Sequence, residues 1–186
     1  RLCRGAWRDR ERPILVNNWE ATYFNFTADK LVEIAKAGAE LGIELFVLDD
    51  GWFGKRDDDT TSLGDWVENR RKLPGGLKDV ENRINALGLK FGLWVEPEMV
   101  SPDSDLYRAH PDWCLHVEGR RRTLQRHQLV LDLSRAEVRD YIFGALSRIF
   151  STVPVAYVKW DMNRALTEIG SPAWPADRQQ ELAHRY

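Results

Sequence analysis

The stretch Val155-Ala156-Tyr157-Val158-Lys159-Trp160-Asp161-Met162-Asn163-Arg164 begins like a buried β-strand and ends in charge. Side chains alternate faces along a strand, so Val155, Tyr157, Lys159 and Asp161 share one side. Ala156, Val158 and Trp160 share the other, which is wholly apolar. The pattern predicts a strand whose apolar face leans on helices while a Lys–Asp pair points at something polar. Lys159 on the face of Asp161 favours an ionised carboxylate there. The competing expectation for Asp161 is a helix N-cap or a plain salt bridge to Lys159.

Working outward, four more strands are predicted, at residues 14–19, 44–50, 90–96 and 128–133. Thr27 reads as the N-cap of a helix carrying Leu31, Ile34, Ala35, Ala37, Gly38 and Leu41, closed by Gly42. A weaker helix over about 77–87 ends at Gly88, and another starts at Ser134 or Arg135 and carries Val138, Ile142, Leu146 and Ile149. Residues 55–76 read as a polar loop and 112–124 as an irregular hairpin around Gly119. Apolar strands alternating with helices argue for an α/β fold with a parallel sheet. No glycine-rich phosphate-binding motif follows a strand, which weakens a nucleotide-binding open sheet. Each strand instead ends in polar or aromatic residues: Trp19, Asp49 and Asp50, Trp94 and Glu96, Asp132, Lys159 and Asp161. A (β/α)8 TIM barrel collects its active site at those ends. The expectation is an incomplete N-terminal portion of such a barrel, about five β/α units. Residues 1–186 then form a partial catalytic domain truncated at both ends, a reading supported by the missing initiator methionine.

The 186 residues carry 27 Lys plus Arg against 29 Asp plus Glu, a net charge of −2. That balance supplies no electrostatic reason to expect nucleic acid or a membrane partner. No apolar run approaches the roughly 20 residues that span a bilayer. The N-terminus lacks the apolar stretch of a signal peptide, so a cytoplasmic location is expected. Cys3 and Cys114 lack metal or redox spacing and read as reduced structural thiols. His110, His116, His127 and His184 show no paired spacing for zinc. Eight tryptophans are unusual for this length. Trp19, Trp52 and Trp94 fall at strand ends beside polar residues, where flat rings and hydrogen-bonding groups together suit a sugar.

Several of these residues have plainer readings. Asp49-Asp50-Gly51 alone would be a turn, although exposed Trp52-Phe53-Gly54 after it would be wasteful. Paired carboxylates accept well from adjacent hydroxyls. Glu96 and Glu98 flank Pro97 and fit equally as solvated loop acids. Trp94 shares a strand face with Gly92, which leaves room for a ring, and with Glu96. Arg120-Arg121-Arg122 reads as a solvated turn. Arg126 directly precedes a predicted strand and can swing toward the strand ends. An ionised, positioned Asp161 could attack an anomeric carbon.

The segments 17–24, 48–54, 92–99 and 159–164 resemble, in order, motifs of the α-galactosidases of glycoside hydrolase family thirty-six. The resemblance covers nearly the whole chain. It implies a (β/α)8 catalytic barrel and hydrolysis of terminal α-galactosides of melibiose or raffinose type with retention. It implies Asp161 as nucleophile and sugar contacts from Trp19, Asp49, Asp50, Trp94, Arg126, Lys159 and Asn163. No metal or organic cofactor is expected; the partner is a small-molecule α-galactoside, and the parent is expected to be a homo-oligomer. The family's acid/base is an aspartate further along, and Glu168, Asp177 and Glu181, the acids after Asp161, do not follow apolar strands. The acid/base is therefore expected outside this chain, leaving the isolated polypeptide inactive. Three other readings remain open: a galactosyltransferase of raffinose-synthase type, a non-catalytic sugar-binding domain, and an enolase-like enzyme holding Mg²⁺ through Asp49, Asp50 and Glu96.

Overall fold

The computed structural model describes residues 4–186; Cys3 lies outside them. In chain order the main elements are β1 (Leu15–Asn17), α1 (Trp19–Thr22), α2 (Ala28–Glu40), β2 (Leu45–Leu48), α3 (Gly76–Asn85), β3 (Lys90–Val95), β4 (Met99–Val100), α4 (Asp105–Ala109), β5 (Leu129–Val130), α5 (Ala136–Thr152), β6 (Tyr157–Trp160) and α6 (Leu182–Arg185). A two-turn 3₁₀ segment, Ala176–Glu181, leads into α6.

Four strands form one parallel sheet in the order β1-β2-β3-β6. Asn17 pairs with Val47, Val47 with Gly92 and Gly92 with Tyr157, so these four residues lie in one row across the sheet. The connections are helical, as parallel strands demand. Thr27 caps α2 by accepting from the Lys30 N–H at 3.3 Å. Leu31, Ala35 and Gly38 of that helix are buried, whereas Ala37 and Leu41, expected on its apolar face, are exposed. Gly42 and Gly88 take φ of +83° and +84° after α2 and α3, the left-handed geometry that a glycine supplies cheaply at a helix end. On α5, Val138, Ile142, Leu146 and Ile149 are buried as the spacing predicts.

Two expectations are corrected. Residues 128–133 do not join the parallel sheet. Leu129–Val130 instead pairs antiparallel with Met99–Val100. The Leu131 N–H donates to Glu98 O, and the Leu115 N–H donates to Val130 O, so this run is held between two neighbouring segments. Pro97 cannot donate to a ladder and ends β3, which sends the chain out into this excursion. An apolar run of that length states burial but not which sheet it enters. The parallel sheet therefore has four strands, half of an eight-stranded barrel. The second correction concerns β6: Val158 and Trp160 are 38% and 54% exposed, because among the described residues β6 is an edge strand paired only with β3.

Leu15 and Asn17 of β1 and Tyr157 and Lys159 of β6 line one cavity of about 400 Å³, although two strands separate them in the sheet. The sheet is thus curled, with its two outer strands facing a common interior, as barrel closure requires.

Candidate active site

The carboxyl ends of the four parallel strands bring together residues that are far apart in the chain. Lys159 Nζ donates to Asp49 Oδ2 at 2.7 Å, joining β6 to β2 over the top of β3. Asn17 Nδ2 donates to the same oxygen, and the Asp50 N–H donates to Asp49 Oδ1 at 2.9 Å. Asp49 is only 3% exposed, so these donors satisfy a carboxylate withdrawn from water.

Asp161 lies just past β6. Its Oδ2 accepts from the Trp94 indole N–H at 3.0 Å and from Asn163 Nδ2 at 2.8 Å. Its Oδ1 accepts from the Met162 N–H at 3.0 Å. Burial pulls its pKa upward, but Trp94, Asn163 and Met162, with a smaller share from the Lys159 charge, hold it below the ordinary carboxylate value. The expected Lys159–Asp161 pair does not form, because Lys159 is taken by Asp49. Asp161 is nonetheless kept ionised, mainly by hydrogen bonds.

Asp50 is 7% exposed and is gripped by Arg56, whose Nη2 donates to Oδ2 at 2.8 Å and Nε to Oδ1 at 3.0 Å. Burial pushes Asp50 up, against the pull of Arg56. Lys72 Nζ donates to the carbonyls of Gly51 and Arg56 at 3.0 and 2.7 Å and so braces this turn. Glu96 is fully buried and accepts from the Asn163 N–H, so it is not the solvated loop acid that its place beside Pro97 allowed. Burial pushes Glu96 up against those Asn163 bonds, and the charges of Asp161 and Asp50 push the same way. The three carboxylates named for an Mg²⁺ site thus each serve a separate partner: Lys159, Arg56 and the Asn163 backbone.

The tryptophans divide. Trp19 is partly buried at the start of α1, its ring set edge-on to Tyr23 and Phe24 at 5.2 and 5.0 Å. Trp94 is 2% exposed, stacks on Phe53 at 6.2 Å and turns its N–H to Asp161. Trp52 and Phe53 are fully buried. They are core, and Trp52 donates to the Trp94 carbonyl at 2.9 Å. The space at Gly92 is taken by Val47 and Tyr157, which an added Cβ would meet at 3.1 and 3.2 Å. Arg126 is exposed at the tip of a tight turn closed by Gln125 and Gln128, with Arg126 and His127 at φ of +52° and +57°. That turn is tied to the segment after Asp161, since Arg164 Nη1 donates to Gln128 O at 2.8 Å and Thr123 O at 2.9 Å. Of the acids after Asp161, Glu168 accepts from Thr123 and Thr167, Glu181 pairs with Arg178, and Asp177 is exposed.

Sequence reasoning missed Asn17, Arg56 and Lys72. For Arg56 and Lys72 the signal is burial of charge in a polar loop, which spacing does not reveal; for Asn17 it is a strand-end amide that reaches Asp49 on the neighbouring strand. Cys114 is buried, and burial pushes its thiol up to about 12, as suits an unreactive structural thiol.

A curled parallel sheet that gathers its polar groups at the strands' carboxyl ends defines the class: part of a (β/α)8 barrel of the kind that builds active sites there. The chain belongs to the melibiase family, whose profile matches residues 1–186. It is 67% identical over all its length to α-galactosidase AgaA of Geobacillus stearothermophilus, of which it covers 26%. It superposes on a structure of an AgaA variant in complex with raffinose with a TM-score of 0.97 at 67% identity, covering 100% of this chain and 26% of that one. A more distant likeness is to TtGalA, an α-galactosidase from Thermus thermophilus in complex with p-nitrophenyl α-D-galactopyranoside. Its TM-score is 0.68 at 28% identity, covering 80% of this chain and 30% of that one. The resemblance to family thirty-six α-galactosidases is borne out, as is the incomplete barrel. The chain spans about a quarter of the length of the curated relatives it matches.

Proposed function

We propose that the full-length protein carrying this chain is a retaining α-galactosidase and that these residues are the part of its catalytic barrel holding the nucleophile. The observation that carries the reading is Asp161, an ionised carboxylate oriented by the Trp94 indole and the Asn163 amide at the mouth of the sheet. In this reading an Asp161 oxygen attacks the anomeric carbon of a terminal α-linked galactose, and the glycosidic bond breaks as the ester forms. Water then releases galactose with configuration retained. A rigid carboxylate already at its attack position avoids reorganisation at the moment of reaction.

The remaining assignments follow from position. Asp49 and Asp50 accept from sugar hydroxyls on the lone pairs their protein donors leave free. Lys159 holds Asp49 in place and offers further N–H bonds. Trp19 and Trp94 line the sugar's apolar side, and Arg126 reaches in from its turn. Substrates are small α-galactosides of melibiose or raffinose type; AgaA's complex with raffinose supports that class. A homo-oligomeric parent and a cytoplasmic location complete the reading. Among the described residues no helix is long and apolar enough to cross a membrane. The retaining mechanism needs a second carboxyl group about 5–5.5 Å from the first, and this acid/base is assigned outside these residues, as the family resemblance implies. Glu168 and Glu181 are engaged with other side chains.

The test is mass spectrometry of the full-length protein after reaction with a mechanism-based galactosyl inhibitor. The adduct is expected on the peptide containing Asp161. An adduct elsewhere, or none from a protein that hydrolyses α-galactosides, overturns the assignment.

A further inference from the structure

Glu96 is a fully buried acid; burial opposes its ionisation, and the charges of Asp161 and Asp50 push the same way. Such a group is costly to bury. None of the sugar contacts proposed above uses it. Its two oxygens explain its presence: one accepts from the backbone N–H of Asn163, the other from Gln128 Nε2 at 3.4 Å.

Those partners belong to the two segments that the site must align. Asn163 gives its side-chain amide to Asp161 at 2.8 Å. Gln128 closes the turn whose central residues, Arg126 and His127, are both left-handed, a conformation that non-glycine residues hold only when their surroundings enforce it. Gln128 is 1% exposed, and its Oε1 has no partner among the described residues. An apolar side chain of the same shape would avoid that orphaned atom. The amide at 128 is therefore explained by what its N–H does, which is to reach Glu96.

We propose that Glu96 is a positioning residue: it clamps the loop behind the nucleophile to the Arg126 turn, so one buried side chain sets both the Asn163 amide on Asp161 and the approach of Arg126 to substrate. The proposal rests on the functional reading above. Arg164 holds the same turn through the carbonyls of Gln128 and Thr123, so cutting the Glu96 links loosens alignment while the turn stays attached.

The test uses the full-length protein, p-nitrophenyl α-galactoside, whose leaving group needs little acid help, and a galactosyl inhibitor to count competent sites. For Glu96→Ala, kcat per titrated site is expected to fall about tenfold or more, with KM raised. Glu96→Gln keeps an acceptor for Asn163 and, once the Gln128 amide turns over, donates an N–H to its Oε1; it is expected within about threefold of wild type. Gln128→Met cuts only the turn's link, so KM is expected to rise with kcat per site within about twofold of wild type. Wild-type kcat per site in Glu96→Ala overturns the proposal, as does a Glu96→Gln variant as impaired as Glu96→Ala. If Glu96→Ala fails to fold, Gln128→Met decides, and an unchanged KM overturns the clamp. A wild-type protein inactive on galactosides and unlabelled by the inhibitor overturns the functional reading instead, before any variant is made.

Discussion

Lys159 Nζ lies 2.7 Å from Asp49 Oδ2, bridging β6 and β2 above β3, and leaves Asp161, two residues further along its own segment, to be held by Trp94 and Asn163. The side chains of Lys159 and Asp49 are 37% and 4% exposed, so the two partners respond differently to loss of the other. In Lys159→Met the buried Asp49 keeps Asn17 but loses its charged donor. Unmaking such a bond costs about 1–3 kcal/mol, and kcat/KM should fall between about fivefold and a hundredfold. Asp49→Asn, which leaves the more exposed lysine free to solvate, should cost less stability than Lys159→Met. Thermal unfolding of the full-length variants checks the order.

Asp161→Asn preserves volume and removes the charge. Turnover should vanish while the melting temperature stays near wild type. Azide should restore slow turnover to a galactosyl azide of inverted configuration. Near-normal hydrolysis by a verified variant would remove Asp161 from its role.

The acid limb of the pH profile should report Asp161. Attack needs the carboxylate, and its donors hold the pKa below the ordinary value, so kcat/KM should persist below the usual carboxylate range and fall as pH drops through the depressed pKa. Trp94→Phe keeps a ring against Phe53 but deletes the N–H that lowers the pKa. The limb should therefore move to higher pH. An unmoved limb would show that the indole does not set the ionisation.

Arg56 and Asp50 form a buried pair, with side chains 1% and 9% exposed. Arg56→Met strands the carboxylate and should destabilise the protein by about 3–5 kcal/mol in urea unfolding. Burial already pushes Asp50 up, and without Arg56 nothing comparable opposes it. A carboxyl whose folded pKa exceeds its unfolded one binds its proton more tightly when folded, so stability is present at low pH and lost as pH rises through the folded pKa. The variant's deficit should therefore be larger at pH 8 than at pH 5, and equal deficits would contradict the buried ion pair.

If the acid/base lies outside residues 1–186, as proposed, that polypeptide alone should hydrolyse melibiose more slowly than the full-length protein by at least a factor on the order of 10²–10⁴, the usual worth of a general acid. Comparable specific activity, free of longer contaminants, would place the acid/base within these residues.

The strand–helix alternation, the Thr27 cap, Gly42 and Gly88, and the apolar stripe of α5 were legible in the sequence because each is a local matter of backbone conformation and side-chain period. So was the concentration of Asp49, Asp50, Trp94, Lys159 and Asp161 at strand ends, since a parallel barrel sheet turns separate positions in the chain into one rim. Only the tertiary structure decided which groups on that rim meet. Spacing within one segment suggested Lys159 for Asp161; the placing of β2 and β6 on either side of β3 assigned Lys159 to Asp49, a residue 110 positions away. Likewise the apolar run at 129–131 announced burial, but its antiparallel partner came from Pro97 ending β3. Burial of Trp52, Arg56 and Glu96 also depends on segments that arrive from elsewhere in the chain. Local periodicity fixes which way a side chain points, while its partner, and hence its charge state, depends on contacts that exist only after folding.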